Sequence, residues 1–203
     1  MNAAADYAAA RKALTQPLPA YVSYVARLRA QIGPFKHEGT QHIVVRTSDG
    51  KVLSGKTDDF QVNSGSSSTG EAVTHPVFEA NCYEATAARS AEYEGRTLEA
   101  LSVRYTCPKR GGDHEQDFNT LYLDPANLDP IAAVENDDDS HVESHITQRF
   151  VRLGERVLPS VLDVRIKGSG FMAWLDVTVH QTISDYAFSE HVPPLPAPPS
   201  SSP

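Results

Sequence analysis

The chain is short of basic charge. Its 203 residues carry 18 Lys and Arg against 26 Asp and Glu, a formal charge of −8, so it lacks the clustered cations that a nucleic-acid partner requires. It also lacks a long apolar run. Nothing in it approaches the roughly 18–20 residues needed to cross a bilayer as a helix, and its first residues, MNAAADYAAARKAL, hold no apolar segment of the signal-peptide kind. Two readings fit that start: a cytoplasmic protein, or a mature exported domain with a new Met1. Cysteine is scarce, at two residues with no Cys-x-x-Cys, which leaves dithiol redox chemistry and a zinc ribbon without a motif to rest on. There is no Gly-x-Ser-x-Gly elbow for a nucleophilic hydrolase. The Ser- and Gly-rich stretch 64–70 has neither a strand before it nor a Lys-Ser/Thr pair opening a helix after it, so it reads as a surface loop rather than a phosphate cradle.

What the chain does have is alternation. After Gly170, Phe171, Ala173, Leu175, Val177, Val179 and Ile183 fall on one face, and Met172, Trp174, Asp176, Thr178, His180, Thr182 and Ser184 on the other. That is the period of a strand with one buried and one wetter face. Residues 157–167 alternate too, with Leu158, Leu162, Val164 and Ile166 on one side, and Gly168-Ser169-Gly170 suits a hairpin connection. Further strands are expected at 42–47 and 52–56, joined by an Asp49-Gly50 turn, and at 60–63, 98–107, 118–123, 131–135 and 141–153. Helices are expected at 6–14, which is Ala-rich, and at 20–31, where Tyr21, Tyr24, Val25, Leu28 and Ile32 recur at three- and four-residue spacing before Gly33-Pro34. A third is expected at 78–94, ended by Gly95. Residues 193–203 are rich in Pro and Ser and form a disordered or polyproline-like tail. The order gives a single α+β domain over 1–192, with helices segregated from one twisted antiparallel sheet.

One short row invites a metal. On a strand, His141, Glu143 and His145 share a face, an imidazole–carboxylate–imidazole arrangement capable of holding zinc. Asp137, Asp138 and Asp139 lie just upstream. The same alternation puts Val142, Ile146 and Phe150 on the core side, which makes the row a solvated strand face, and His180 on the wetter face beside Trp174 and Asp176 reads alike. No metal ligand is therefore assigned.

Taken in order, these features resemble the LolA-like proteins of bacterial cell envelopes, the periplasmic lipoprotein carriers and their lipid-binding relatives. The resemblance runs from about residue 20 to 194. It is carried by Leu121-Tyr122-Leu123-Asp124-Pro125 before the strand at 131–135, and by the strand at 145–153 leading into Gly154-Glu155-Arg156-Val157-Leu158-Pro159. The finish on Asp185-Tyr186-Ala187-Phe188 before a Pro-containing tail completes it. Leu18-Pro19-Ala20-Tyr21 and Ser48-Asp49-Gly50 are similar to the opening of an envelope subgroup of unknown role.

The resemblance implies a sheet curled into an unclosed half-barrel, with N-terminal and inserted helices as a lid over its concave face. It further implies a lipid, acyl chain or lipopeptide in the cavity, an envelope protein as a further partner, a periplasmic or extracellular location, and neither catalytic residues nor a cofactor. Burying one acyl chain of about a dozen CH2 groups would contribute roughly 10 kcal/mol. The residues expected on the cavity face are Val103, Tyr105, Leu162, Phe171, Leu175, Val177 and Val179, although a filled core gives the same pattern. In an exported domain, Cys82 and Cys107 would bond, closing a ~25-residue loop for roughly 3 kcal/mol; two free thiols of a cytoplasmic protein are the alternative. Two other functional classes stand beside the lipid reading: a metal-dependent enzyme using the His141–Glu143–His145 row, and a structural or protein-interaction module of the envelope. Paired carboxylates for glycoside chemistry stay open, because acidic residues are abundant.

Overall fold

A computed structural model describes residues 2–57, 82–106, 118–138 and 141–194. The chain starts with α1 (Ala3–Leu14). The Asn2 side chain accepts from the Ala5 N–H at 3.3 Å, and Asp6 accepts from the Asn2 N–H at 2.7 Å, so donors left over at the helix start are satisfied. Tyr7, Ala10 and Leu14, three and four residues apart, form its buried stripe. At the other end the Thr15 hydroxyl and amide both return to the Arg11 carbonyl at 2.9 Å.

Ten strands follow among the described residues: β1 (Tyr21–Ile32), β2 (Phe35–Arg46), β3 (Lys51–Thr57), β4 (Tyr83–Tyr93), β5 (Arg96–Tyr105), β6 (Thr120–Leu123), β7 (Pro130–Asp138), β8 (Val142–Leu153), β9 (Arg156–Gly168) and β10 (Asp176–Ser189). They make one antiparallel sheet in the order β3-β2-β1-β10-β9-β8-β7-β6-β5-β4. Pairing of β1 with β10 joins the two halves of the chain, while β3 and β4, consecutive in sequence, lie at opposite edges. The sheet is thus an unclosed half-barrel, and α1 lies on it as a lid.

Several expected elements are present. The Asp-Gly hairpin joins β2 to β3: Arg46 pairs with Asp49, whose carboxylate also accepts the Lys51 N–H at 3.1 Å, and Gly50 takes a φ of 66°. Strands near 98, 118, 131, 141 and 157 fall where alternation places them.

Three expectations are overturned. Residues 20–31 form strand β1, not a helix. The helical spacing of Tyr21, Tyr24, Val25, Leu28 and Ile32 competes with a two-residue period, Val22-Tyr24-Ala26-Leu28-Ala30-Ile32. Ladder partners on both sides, β2 and β10, decide for the strand, helped by aromatic and β-branched residues at its start. Likewise Tyr83–Tyr93 is strand β4 and not helix. Its Ala and Glu content is overridden by pairing along its length with β5, and Ala85 and Ala88 are small enough for α1 to rest on them. Among the described residues, α1 is therefore the one α-helix of the lid. Finally, the strand expected from Phe171 begins only at Asp176, because Gly170–Met172 is a single 3-10 turn. That turn folds onto the end of β9: the Gly168 N–H donates to the Leu175 carbonyl at 2.8 Å, and a Cβ on Gly168 would sit 1.9 Å from the Met172 carbonyl oxygen. The expected strand at 60–63, the loop at 64–70, the start of the third helix at 78–81 and the tail from 195 lie outside the described residues.

The core has two parts on one face of the sheet. In the first, Tyr7, Ala10 and Leu14 of α1 pack on Tyr83, Leu101, Val103, Leu121, Leu123, Ala133, Ile146 and Phe150, with Leu162 and Val164 of β9 at its border. In the second, Val22, Tyr24, Ala26, Ile43, Val45 and Ile183 of β1, β2 and β10 pack with Leu18, Tyr186 and Phe188. Strand alternation makes both parts continuous across β9 and β10.

Candidate functional site

Between these two cores the concave face stays apolar and becomes accessible. Following β1 beyond Ala26, the same face presents Leu28, Ala30 and Ile32. Register carries it across the sheet: Phe35 stands opposite Ile32, Ile32 opposite Val177, and Val177 opposite Ile166. The neighbouring row runs His37, Ala30, Val179, Val164 and Ile146. Leu28, Ala30, Val177, Val179 and Ile166 are half-buried, while Ile32 is 51% and Phe35 66% exposed. α1 packs over β4 to β9 and does not enter the second core, so this strip is the part of the concave face beyond the helix.

One end of the strip is stoppered. Tyr186 packs on Tyr24, with ring centroids 5.6 Å apart, and its hydroxyl donates to the Pro159 carbonyl at 2.6 Å. Burial pushes both phenols well above the ordinary tyrosine range. Arg156 lies over the Phe188 ring at 5.1 Å. The other end, at the turn between β1 and β2, carries the exposed Ile32 and Phe35. Polar groups interrupt the floor at two points: Gln148 and Gln181 are buried on either side of Leu162, and the Gln148 amide donates to the Val161 carbonyl at 3.2 Å.

The residues expected to line the cavity divide into three groups. Val103, Tyr105 and Leu162 belong to the core under α1. Val177 and Val179 sit in the open strip, and Leu175 half-buried just before β10. Phe171 stands apart, 74% exposed on the 3-10 turn with its ring 4.8 Å from His141, and Trp174 beside it is 73% exposed. Sequence reasoning missed Leu28, Ala30, Ile32 and Phe35, because reading 20–31 as a helix hid their two-residue period.

The proposed metal row does not assemble. Among the described residues no group of three or more His, Cys, Asp or Glu comes together as metal ligands. His145 pairs instead with Asn136 and Thr147, and His141 packs on Phe171. His180 bonds Asp163 at 2.5 Å, and Arg149 holds the other oxygen of that carboxylate at 2.5 Å. Partial burial alone would raise the Asp163 carboxyl, but the two hydrogen bonds outweigh it and hold it below the ordinary range. Cys82 is disulfide-bonded; Cys107, the other cysteine of the chain, lies outside the described residues.

Compared with protein-family models and with curated proteins, the sequence matches none. Solved structures do match. The chain is similar to a putative outer membrane lipoprotein-sorting protein domain from Vibrio parahaemolyticus, with a TM-score of 0.55 and 9% identity over 94% of each chain. The two share a fold. A DUF1329 family protein from Desulfovibrio piger matches with a TM-score of 0.50 and 8% identity, covering 95% of this chain and 96% of that one. A LolA superfamily protein from Nitrosomonas europaea matches with a TM-score of 0.46 and 12% identity, covering 95% and 96%. The shared fold thus spans nearly the whole chain, and identities this low speak to the fold alone.

Proposed function

We infer that the protein is a non-enzymatic binding protein of the bacterial cell envelope that holds a lipid, acyl chain or lipopeptide on its concave face. The observation that carries this reading is the apolar strip of Ile32, Phe35, Val177, Val179 and Ile166, continuous with the core yet open at the turn between β1 and β2. An apolar surface left accessible in a folded protein marks a place where something docks. Leu175 lies at its border, Val103, Tyr105 and Leu162 belong to the packed core under α1 that it adjoins, and Phe171 belongs to the exposed rim that an envelope protein partner would meet. A similar fold in the Vibrio neighbour belongs to a putative outer membrane lipoprotein-sorting domain, which supports an acylated ligand. The Cys82 disulfide supports an oxidising compartment, periplasmic or extracellular, with Cys107 as its partner.

The test is native mass spectrometry of protein exported to a bacterial periplasm, followed by solvent extraction. Co-purifying lipid is expected, and Phe35→Glu should abolish it while the far-ultraviolet spectrum and melting temperature stay unchanged, since Phe35 is two-thirds exposed. An apo mass that takes up no fatty acid or phospholipid would sink the reading.

A further inference from the structure

The convex face of the same strands carries a second feature, of opposite chemistry. A cleft of about 430 Å³ is lined there by Arg29, Gln31, Lys36, Arg165, Thr178 and His180, among others. Register sets them in two rows. Lys36, Gln31, Thr178 and Arg165 follow one another across β2, β1, β10 and β9, and Glu38, Arg29, His180 and Asp163 do so one step along. In the second row the charges are matched: Arg29 faces Glu38 at 3.6 Å, and Asp163 is bonded by His180 and Arg149.

The first row is not matched. Neither the Lys36 nor the Arg165 side chain has an ion-pair or hydrogen-bond partner among the described residues, whereas Arg46, Arg96, Arg104, Arg149 and Arg152 each meet a carboxylate. Two cations without a carboxylate partner thus stand at the ends of one row of the cleft, in a chain of charge −8. Three strand spacings separate their Cα atoms, roughly 14 Å, a gap that two long side chains can narrow from either side. The floor between them is Gln31 and Thr178, groups that hydrogen-bond hydroxyls and phosphate oxygens. Among the described residues no Phe, Tyr or Trp ring lines the cleft to stack on a base.

We propose that this cleft binds a small phosphorylated polyol, its phosphate held between Lys36 and Arg165 and its hydroxyls by Gln31, Thr178 and Arg29. Arginine contributes a planar fork for two phosphate oxygens and lysine a point charge. The charged and polar side chains of the site alternate along the strands with those of the apolar strip and so face the other side of the sheet, while Ala30, Val164 and Val179 of the strip's rows also border the cleft; the proposal does not rest on lipid binding.

Titration calorimetry at fixed ionic strength tests it, with glycerol 3-phosphate as probe and glycerol as the neutral control. Saturable binding of glycerol 3-phosphate alone is expected, weakened about tenfold or more by Arg165→Gln and by Lys36→Gln. Arg89→Gln, an equal loss of charge on the exposed edge strand β4, should leave it unchanged. Absence of saturable binding up to ~10 mM, unaltered affinity in either cleft variant, or an equal loss in the Arg89 variant would overturn the proposal. Sedimentation with phosphatidylglycerol vesicles separates two sources of the same chemistry: co-sedimentation abolished by the cleft variants assigns a lipid headgroup, and glycerol 3-phosphate binding without it assigns a free ester.

Discussion

At the scale of single residues, the least comfortable group in the fold is Glu99. It is buried on the helix-facing side of β5, and one of its carboxylate oxygens has no hydrogen-bond partner. Burial, and then the hydrogen bond and charge of the neighbouring Asp6, push its carboxyl up. A carboxyl raised in the folded state binds protons that the unfolded chain releases near pH 4, so folding stability falls as pH rises from about 4 through the raised value. Glu99→Gln keeps the shape and removes the charge. Thermal melts should therefore show the variant more stable than the parent at pH 7, with the difference disappearing below about pH 4; a destabilised variant at pH 7 would show that Asp6 and Glu99 are not the strained pair described. Nothing in the sequence announced this pair, because Asp6 reads as an ordinary helix-start acid and Glu99 as one charge among 26 acidic residues.

At the scale of elements, legibility followed neighbours rather than propensity. The Asp49-Gly50 hairpin and the strands from β5 to β9 could be read because turn chemistry and two-residue alternation agree there. β1 was misread because its apolar residues satisfy both the helical and the strand template, and only its pairing with the next strand, β2, and with the distant β10 separates them. β4 was misread for a stronger reason: its segment EATAARSAE prefers helix locally, and the edge of the sheet imposes the strand. An edge strand with such a composition needs help. The Tyr83 to Tyr105 register and the Thr106 N–H donating to the Cys82 carbonyl at 2.7 Å hold its start, and the Cys82 disulfide adds a covalent tie. Non-reducing peptide mapping should recover the fragments containing Cys82 and Cys107 as one species. Cys82→Ala should lower unfolding stability by about 3 kcal/mol in urea, and exchange of backbone amides should rise first in β4. A parent peptide map with two separate thiols would remove the tie from the account.

At the scale of the whole molecule, the sheet makes one continuous concave surface and uses its two parts differently. α1 fills one part, so that Tyr7, Leu14, Val103 and Phe150 form an ordinary packed core, and Tyr24 and Tyr186 close the far end of the other. The strip between them is what remains of a core face over which, among the described residues, no helix lies. From the sequence, filled core and open strip were indistinguishable, since both are alternating apolar residues; position relative to a single helix of 12 residues divides them, and that is a property of the assembled fold. The division makes a claim about energetics that can be measured. Tyr7→Ala removes a buried aromatic ring beneath the helix and should cost about 3 kcal/mol of unfolding free energy. Because the ligand is held beyond the helix, the affinity of the folded variant for a fluorescent fatty acid should change by less than about threefold, which is well under 1 kcal/mol. Phe35→Glu should show the reverse, intact stability with binding lost. If Tyr7→Ala instead weakens binding as much as Phe35→Glu does, the helix is a wall of the pocket and the two parts of the concave face act as one.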